Sequence, residues 1–210
     1  MLKGIITFIA LLIAVIIHEI AHGYIAFRLG DNTAKNAGRL TLNPIPHLDP
    51  LGSILLPALL WISSAPFFIG WAKPVPVNSY NLRNPEKDLM LISIAGPAIN
   101  ITLAVIFSIF LKLFFAIHPA SSSVSLFSFI IFYFLNISVQ INVILALFNL
   151  IPLPPLDGSK ILFYFLPSNL KYKYMRIEPY GFVILFILVY LGLFQTILTL
   201  IGIPIIKFLL

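Results

Sequence analysis

"IIHEIAHGYIAF", residues 16–27, sets two imidazoles and a carboxylate in the middle of an apolar run. On a helix, residues four apart share a face. His18 and His22 therefore point the same way, one turn apart, with Glu19 beside them. That spacing lets two histidines hold a zinc ion while a glutamate acts on a water molecule. The pentapeptide also arises by chance in soluble helices, but its surroundings here are apolar. A charged group at mid-bilayer costs about 2.5–3.5 kcal/mol on the insertion scale, so Glu19 needs a compensating role. The plainer reading, interhelical hydrogen bonds and nothing else, leaves that cost unexplained. Ala21 and Gly23 are small enough for a neighbouring segment to approach closely.

The 210 residues are 60% hydrophobic and 10% charged, whereas soluble domains carry about a quarter charged residues. The deficit and several apolar runs near 20 residues predict an all-α polytopic membrane protein. The length suits one bundle, a single domain over 1–210, with no room for a separate soluble domain. Cysteine is absent, which excludes disulfides and thiolate metal sites. The net charge of +6 and pI near 9.6 do not point to nucleic acid, because basic residues in a membrane chain mostly mark cytoplasmic loops. Lys3 and the run after it resemble a leader peptide. The run continues through the His-Glu cluster to Leu29, however, so it reads as a span.

About four transmembrane helices are expected, at 4–29, 88–117, 126–150 and 181–206. A fifth apolar run, 51–70, contains Pro57 and Pro66 and reads as broken or re-entrant, which is tolerated where it packs on protein. "GRLTLN" (38–43) reads as a short strand and "KPVPVN" (73–78) as extended backbone. If 51–70 dips in and returns, the basic loops 30–49, 71–88 and 159–179 share one side. Only Lys3, Lys112 and Lys207 then lie towards the other. The positive-inside bias favours that layout, with the basic side cytoplasmic and both termini outside.

Zinc hydrolases use three protein ligands and leave one position open. Candidates for the third are His47, His118, Asp31, Asp49, Glu86, Asp88, Asp157 and Glu178. Asp157 stands apart, because it follows "NLIPLPP" at the end of the third span, where Pro152, Pro154 and Pro155 forbid regular helix. Taken alone, Asp157 reads equally well as a helix N-cap. Paired with the His cluster, it reads better as a ligand. His47, in "NPIPHLDP" (43–50), reads as a turn residue, with a guard of the access path or a substrate contact as the other possibility. Asn100, Asn136, Gln140 and Asn142 are expected to bond between helices, and Asn142 shares a face with Asn149.

"HEIAH", "AGPAIN" (95–100) and "NLIPLPPLDG" (149–158) resemble the site-2 protease family of intramembrane zinc metalloproteases, peptidase family M50. The resemblance covers most of the chain. It implies one Zn2+ per chain held by His18, His22 and Asp157, with Glu19 as the catalytic residue. It implies that Asn149 positions substrate or the reacting carbonyl. It further implies that 30–48 and 71–78 offer an edge surface to an unwound substrate. Partners would be membrane protein substrates with transmembrane segments in the lipid bilayer, and the location a prokaryotic plasma membrane with the site towards the cytoplasm. The chain lacks room for the PDZ or CBS domain of many members and looks like a short form. The rival reading is a metal-ion or proton transporter that uses the same His/Glu/Asp cluster. Transporters often show internal repeats and paired broken helices, which are not apparent here.

Overall fold

A computed structural model describes residues 1–55, 59, 62, 72–117 and 125–210. Helix α1 runs Leu2–Arg28 and is followed by a one-turn helix, α2 (Thr33–Asn36). Helices α3 (Pro85–Ile117) and α4 (Leu126–Asn149) complete the frame. With 27, 33 and 24 residues, the three long helices extend roughly 36–50 Å at 1.5 Å per residue, enough to cross a ~30 Å hydrocarbon layer. Each is also apolar enough to do so.

The helices meet along rows of residues four apart. On α1 the row Ile6, Ala10, Ala14, His18, His22, Ala26 is buried. On α3 the buried set includes Asp88, Ile92, Gly96, Asn100, Ala104 and Ser108. On α4, Ser138, Asn142 and Ala146 form one such row and Val139 and Val143 another. Residues at i±4 form the ridges by which helices interlock, and small residues let helix backbones approach in a membrane. Ala10 and Ala14 pack against Ile141, and Ala104 packs against Val139 and Val143. The two histidines thus occupy the seam between α1 and its neighbours, not a lipid-facing stripe.

After α4 the prolines stop the helix, and a turn with a cis Pro154–Pro155 peptide leads into α5 (Asp157–Phe165). Helices α6 (Ser168–Met175), α7 (Gly181–Tyr190), α8 (Leu193–Ile197) and α9 (Ile203–Leu209) follow. The expected continuous span at 181–206 is not found. The chain breaks at Gly192, which has φ 81°, and the stretches Ser168–Tyr190 and Leu193–Leu209 are inclined at 63°. A glycine in the left-handed region ends a helix without a Cβ penalty. The described residues therefore hold three spans, or four if the bent pair counts as one. The tail returns into the bundle. Leu209 joins Ala104, Val139 and Val143, and its carbonyl accepts a hydrogen bond from the Ser108 hydroxyl.

The polar loops converge at one end. Lys73 N–H donates to the His47 carbonyl at 2.9 Å, so the chain leaves residue 47 and comes back beside it at 73. Buried Asp31 accepts from Thr33 N–H and Oγ, from Asn78 N–H at 2.7 Å and from Asn81 Nδ2 at 2.8 Å. Burial opposes ionisation of Asp31, but the bonds from Thr33, Asn81 and Asn78 outweigh it and hold the carboxyl below the usual carboxylate range. Lys171 reaches Glu86 at 2.5 Å, and the Tyr174 hydroxyl donates to the Pro152 carbonyl. The loops expected on one side thus do lie together. Most of the expected broken segment 51–70, like His118, lies outside the described residues. Among the described residues no strand forms. "GRLTLN" is irregular, and "KPVPVN" is extended but pairs with no ladder, since Pro74 and Pro76 have no N–H to give one.

Single cysteines at Asn36 and Tyr80, both exposed, are expected to react with an impermeant thiol reagent from the same side of a sealed vesicle. Labelling from opposite sides would contradict the stitched loops.

Candidate metal centre

Asp157 is the first residue of α5, with Leu156 as the N-cap residue and no side-chain cap bond. The capping role considered on sequence grounds is therefore not what the carboxylate does. Its Oδ2 stands 3.2 Å from His18 Nε2 and 3.2 Å from His22 Nε2, and the two Nε2 atoms are 3.0 Å apart. The three residues are 6%, 9% and 7% exposed. Among the described residues, this is the one group of three or more His, Cys, Asp or Glu side chains that could hold a metal ion.

The protons are accounted for by the outer atoms. His18 Nδ1 lies 2.5 Å from Asn100 Oδ1, and His22 Nδ1 lies 2.7 Å from the Ile92 carbonyl oxygen. Both partners are acceptors, so each Nδ1 carries the hydrogen and each Nε2 presents a lone pair. The Asn100 amide is itself oriented. Its Nδ2 donates to Asn142 Oδ1 at 2.8 Å, and Asn142 Nδ2 donates to the Ser138 carbonyl at 2.9 Å. Two lone pairs therefore face a carboxylate oxygen, Asp157 Oδ2, that is buried and receives no hydrogen bond. Such a cluster is repulsive by itself and costly to bury. A divalent cation removes that cost. Tetrahedral zinc with bonds of about 2.0–2.1 Å sets its ligand atoms roughly 3.3 Å apart, close to the triangle observed. The residues fit the ion.

Two glycines make the approach possible. A Cβ on Gly96 would stand 2.5 Å from His18 Cε1, 2.5 Å from His22 Nε2 and 2.6 Å from His18 Nε2. A Cβ on Gly158 would stand 2.3 Å from the Leu150 carbonyl oxygen, so only glycine lets the turn close and present Asp157. The carboxylate also lies in the first turn of α5, where the helix dipole favours negative charge.

Glu19 is half-buried, and its Oε2 accepts from Val75 N–H at 2.8 Å. Asn149 donates Nδ2 to the Leu145 carbonyl of its own helix at 3.0 Å. Of the other described ligand candidates, Glu178 is exposed and the rest have different partners. Asp31 is filled by the donors above, Asp49 accepts from Leu51 and Gly52 N–H, Asp88 accepts from Asn84 N–H, Glu86 pairs with Lys171, and His47 Nε2 donates to the Thr41 carbonyl. Sequence reading placed Asn100 as an interhelical bond and, beyond their membership of "AGPAIN", gave neither Asn100 nor Gly96 a part in the metal site. The signal for both was the four-residue step from Ile92 through Gly96 to Asn100, which matches the step from His18 to His22.

Asn100→Ala removes the acceptor that fixes the His18 ring. It is expected to weaken zinc affinity by about 10–100-fold, the scale for such supporting bonds, measured by competition with a calibrated chelator. Gly96→Ala drives a methyl into both imidazoles and is expected to lose the metal outright while the other helices still fold. Stoichiometric zinc in Gly96→Ala would contradict this geometry.

Comparison with known proteins agrees with the site. Residues 6–192 match the profile of peptidase family M50. The chain is 43% identical over 180 residues to "Putative zinc metalloprotease YwhC" of Bacillus subtilis (strain 168), covering 86% of this chain and 78% of that one. It is 29% identical over 177 residues to "Putative zinc metalloprotease Rip2" of Mycolicibacterium smegmatis, covering 84% of this chain and 63% of that one. No solved structure matches it significantly. Three apolar helices long enough to span a bilayer, a buried His-His-carboxylate triangle at their seam and a family match over most of the sequence lead to one conclusion: the chain is an integral membrane member of peptidase family M50.

Proposed function

We propose that this chain hydrolyses peptide bonds in or near the transmembrane segments of membrane proteins, with one zinc ion held by His18, His22 and Asp157 and with Glu19 as the general acid–base group. The observation that carries this reading is the convergence of two imidazole lone pairs and a carboxylate oxygen within 3.2 Å, inside a bundle of apolar helices. His18 is ten residues from the end of α1, about 15 Å along the helix at 1.5 Å per residue. That is roughly half of a 30 Å hydrocarbon layer. The names of the relatives, zinc metalloproteases, support the same chemistry. Nothing observed favours the transporter reading.

Bound zinc supplies Lewis acidity, which polarises a carbonyl and lowers the pKa of a water towards about 7. The chain supplies the rest. Glu19 is adjacent to the ligand His18 in sequence but is not a member of the triangle, so its carboxylate is available to take a proton from the attacking water and pass it to the departing amide nitrogen. Asn149 has one amide hydrogen on the Leu145 carbonyl, and we assign the second to the developing oxyanion. A substrate helix must unwind first, because its carbonyls are already hydrogen-bonded. We place the loop end of the bundle, which carries Lys35, Arg39, Lys73, Arg83, Lys87, Lys171, Lys173 and Arg176, at the cytoplasmic face of a prokaryotic plasma membrane by the positive-inside bias.

Reconstituted protein and a transmembrane peptide loosened by Gly or Pro, with products read by mass spectrometry, test the assignment. Glu19→Gln is expected to keep its zinc and lose hydrolysis by roughly two to four orders of magnitude. His18→Ala, His22→Ala and Asp157→Ala are expected to lose zinc as well. Wild-type cleavage by zinc-loaded Glu19→Gln would sink the role given to that residue. Full zinc in Asp157→Ala would remove Asp157 from the ligand set.

A further inference from the structure

The Lys73–Asn78 segment lies beside the metal centre and is gripped at both ends. Arg39 is 5% exposed although it is an arginine, and it donates Nη2 to the Lys73 carbonyl at 2.5 Å. Lys73 N–H donates to the His47 carbonyl, and His47 Nε2 donates to the Thr41 carbonyl at 2.9 Å, tying the gripping loop to itself. At the far end Asp31 takes Asn78 N–H and Asn81 Nδ2. Between the grips, Pro74 and Pro76 have no N–H. Val75 N–H is therefore the sole main-chain donor from 74 to 76, and it is spent on Glu19 Oε2 at 2.8 Å.

The close approach is also built into α1. A Cβ on Gly23 would stand 2.9 Å from Val75 Cγ1 and 2.8 Å from Leu40 Cδ2. Gly23 is four residues beyond Glu19, on the same face. The missing side chain leaves a notch in which Val75 sits, 8% exposed.

We propose that residues 73–78 form a strap whose Val75 N–H positions the Glu19 carboxylate, and that Arg39 and Asp31 are positioning residues that act through the strap. The proposal rests on the reading of Glu19 as the acid–base group. One carboxylate oxygen is held, which limits the swing of the side chain, and the other exchanges the proton. A hydrogen bond to a charged group is directional and stronger than a neutral one. Two prolines and two distant grips keep its donor from moving, as precise placement of an acid–base group demands.

Val75→Pro deletes this N–H and is compatible with extended backbone. In full-length reconstituted protein it is expected to keep one zinc per chain and a KM within about twofold of wild type, while kcat falls about 10–100-fold, the loss expected for a hydrogen bond to a charged group. Val75→Ala keeps the N–H and is expected to rescue kcat to within about threefold. Arg39→Ala is expected to lower kcat in the same direction at full zinc, with recovery in Arg39→Lys. The decisive comparison is a double-mutant cycle. If the strap works through Glu19, Val75→Pro adds nothing to the loss in Glu19→Gln. Additive losses would overturn the proposal, as would a raised KM with intact kcat, which would make the N–H a substrate contact. If Val75→Pro fails to load zinc, the same cycle with Arg39→Ala decides. Full activity of Val75→Pro beside an inactive Glu19→Gln removes the strap alone, whereas full activity of Glu19→Gln removes the acid–base reading beneath it.

Discussion

Two imidazoles can aim the same nitrogen at one carboxylate oxygen only if each has lost the freedom to choose its tautomer. In this protein the choice is made by the Ile92 carbonyl for His22 and by Asn100 for His18. Most of the architecture near the centre follows from that requirement. Asn100 must present its oxygen and not its nitrogen, so Asn142 takes the Asn100 Nδ2 hydrogen and gives its own to the Ser138 carbonyl. A relay through α3 and α4 thereby fixes the tautomer of a ring on α1. In an apolar bundle little water is at hand to correct an amide turned the wrong way, and a buried unpaired polar group is expensive.

The spacing of four residues serves packing and chemistry together. Ile6, Ala10, Ala14, His18, His22 and Ala26 form one buried row on α1. The small members bring the helices close, and the two histidines use that closeness. Gly96 is where the requirement is most severe, since its missing side chain is the space occupied by the imidazole edges. Helix packing and ligand placement cannot be altered independently here, because the same rows carry both.

Asp157 reaches the centre by a different route. The prolines after Asn149 end α4 and turn the chain, and Gly158 tucks beneath the Leu150 and Ile151 carbonyls. The first turn of α5 then delivers a carboxylate. The loops on that side are cross-tied by Asp31, Arg39 and His47. Rigid ties on polar loops and small-residue packing in the spans give the bundle a fixed rim around a buried site, the arrangement expected where water and peptide must be admitted selectively.

Local sequence determined the long helices, the helical face shared by His18 and His22, and the irregular turn that carries Asp157. Each depends on periodicity, proline or composition, which act within a few residues. The charge distribution also anticipated that loops 30–49 and 71–88 lie together. The bend in the fourth apolar run, 181–206, was not legible, because composition does not register the left-handed glycine at 192. The strand expected in "GRLTLN" found no partner, since a strand exists only by pairing. Tertiary structure alone decided that Asp157 faces the histidines instead of capping a helix, that Asn100 sets a tautomer, and that Val75 holds Glu19. These contacts join residues 56 to 139 positions apart in the chain, and their energies arise only when whole helices are docked. No pattern read within one segment contains them.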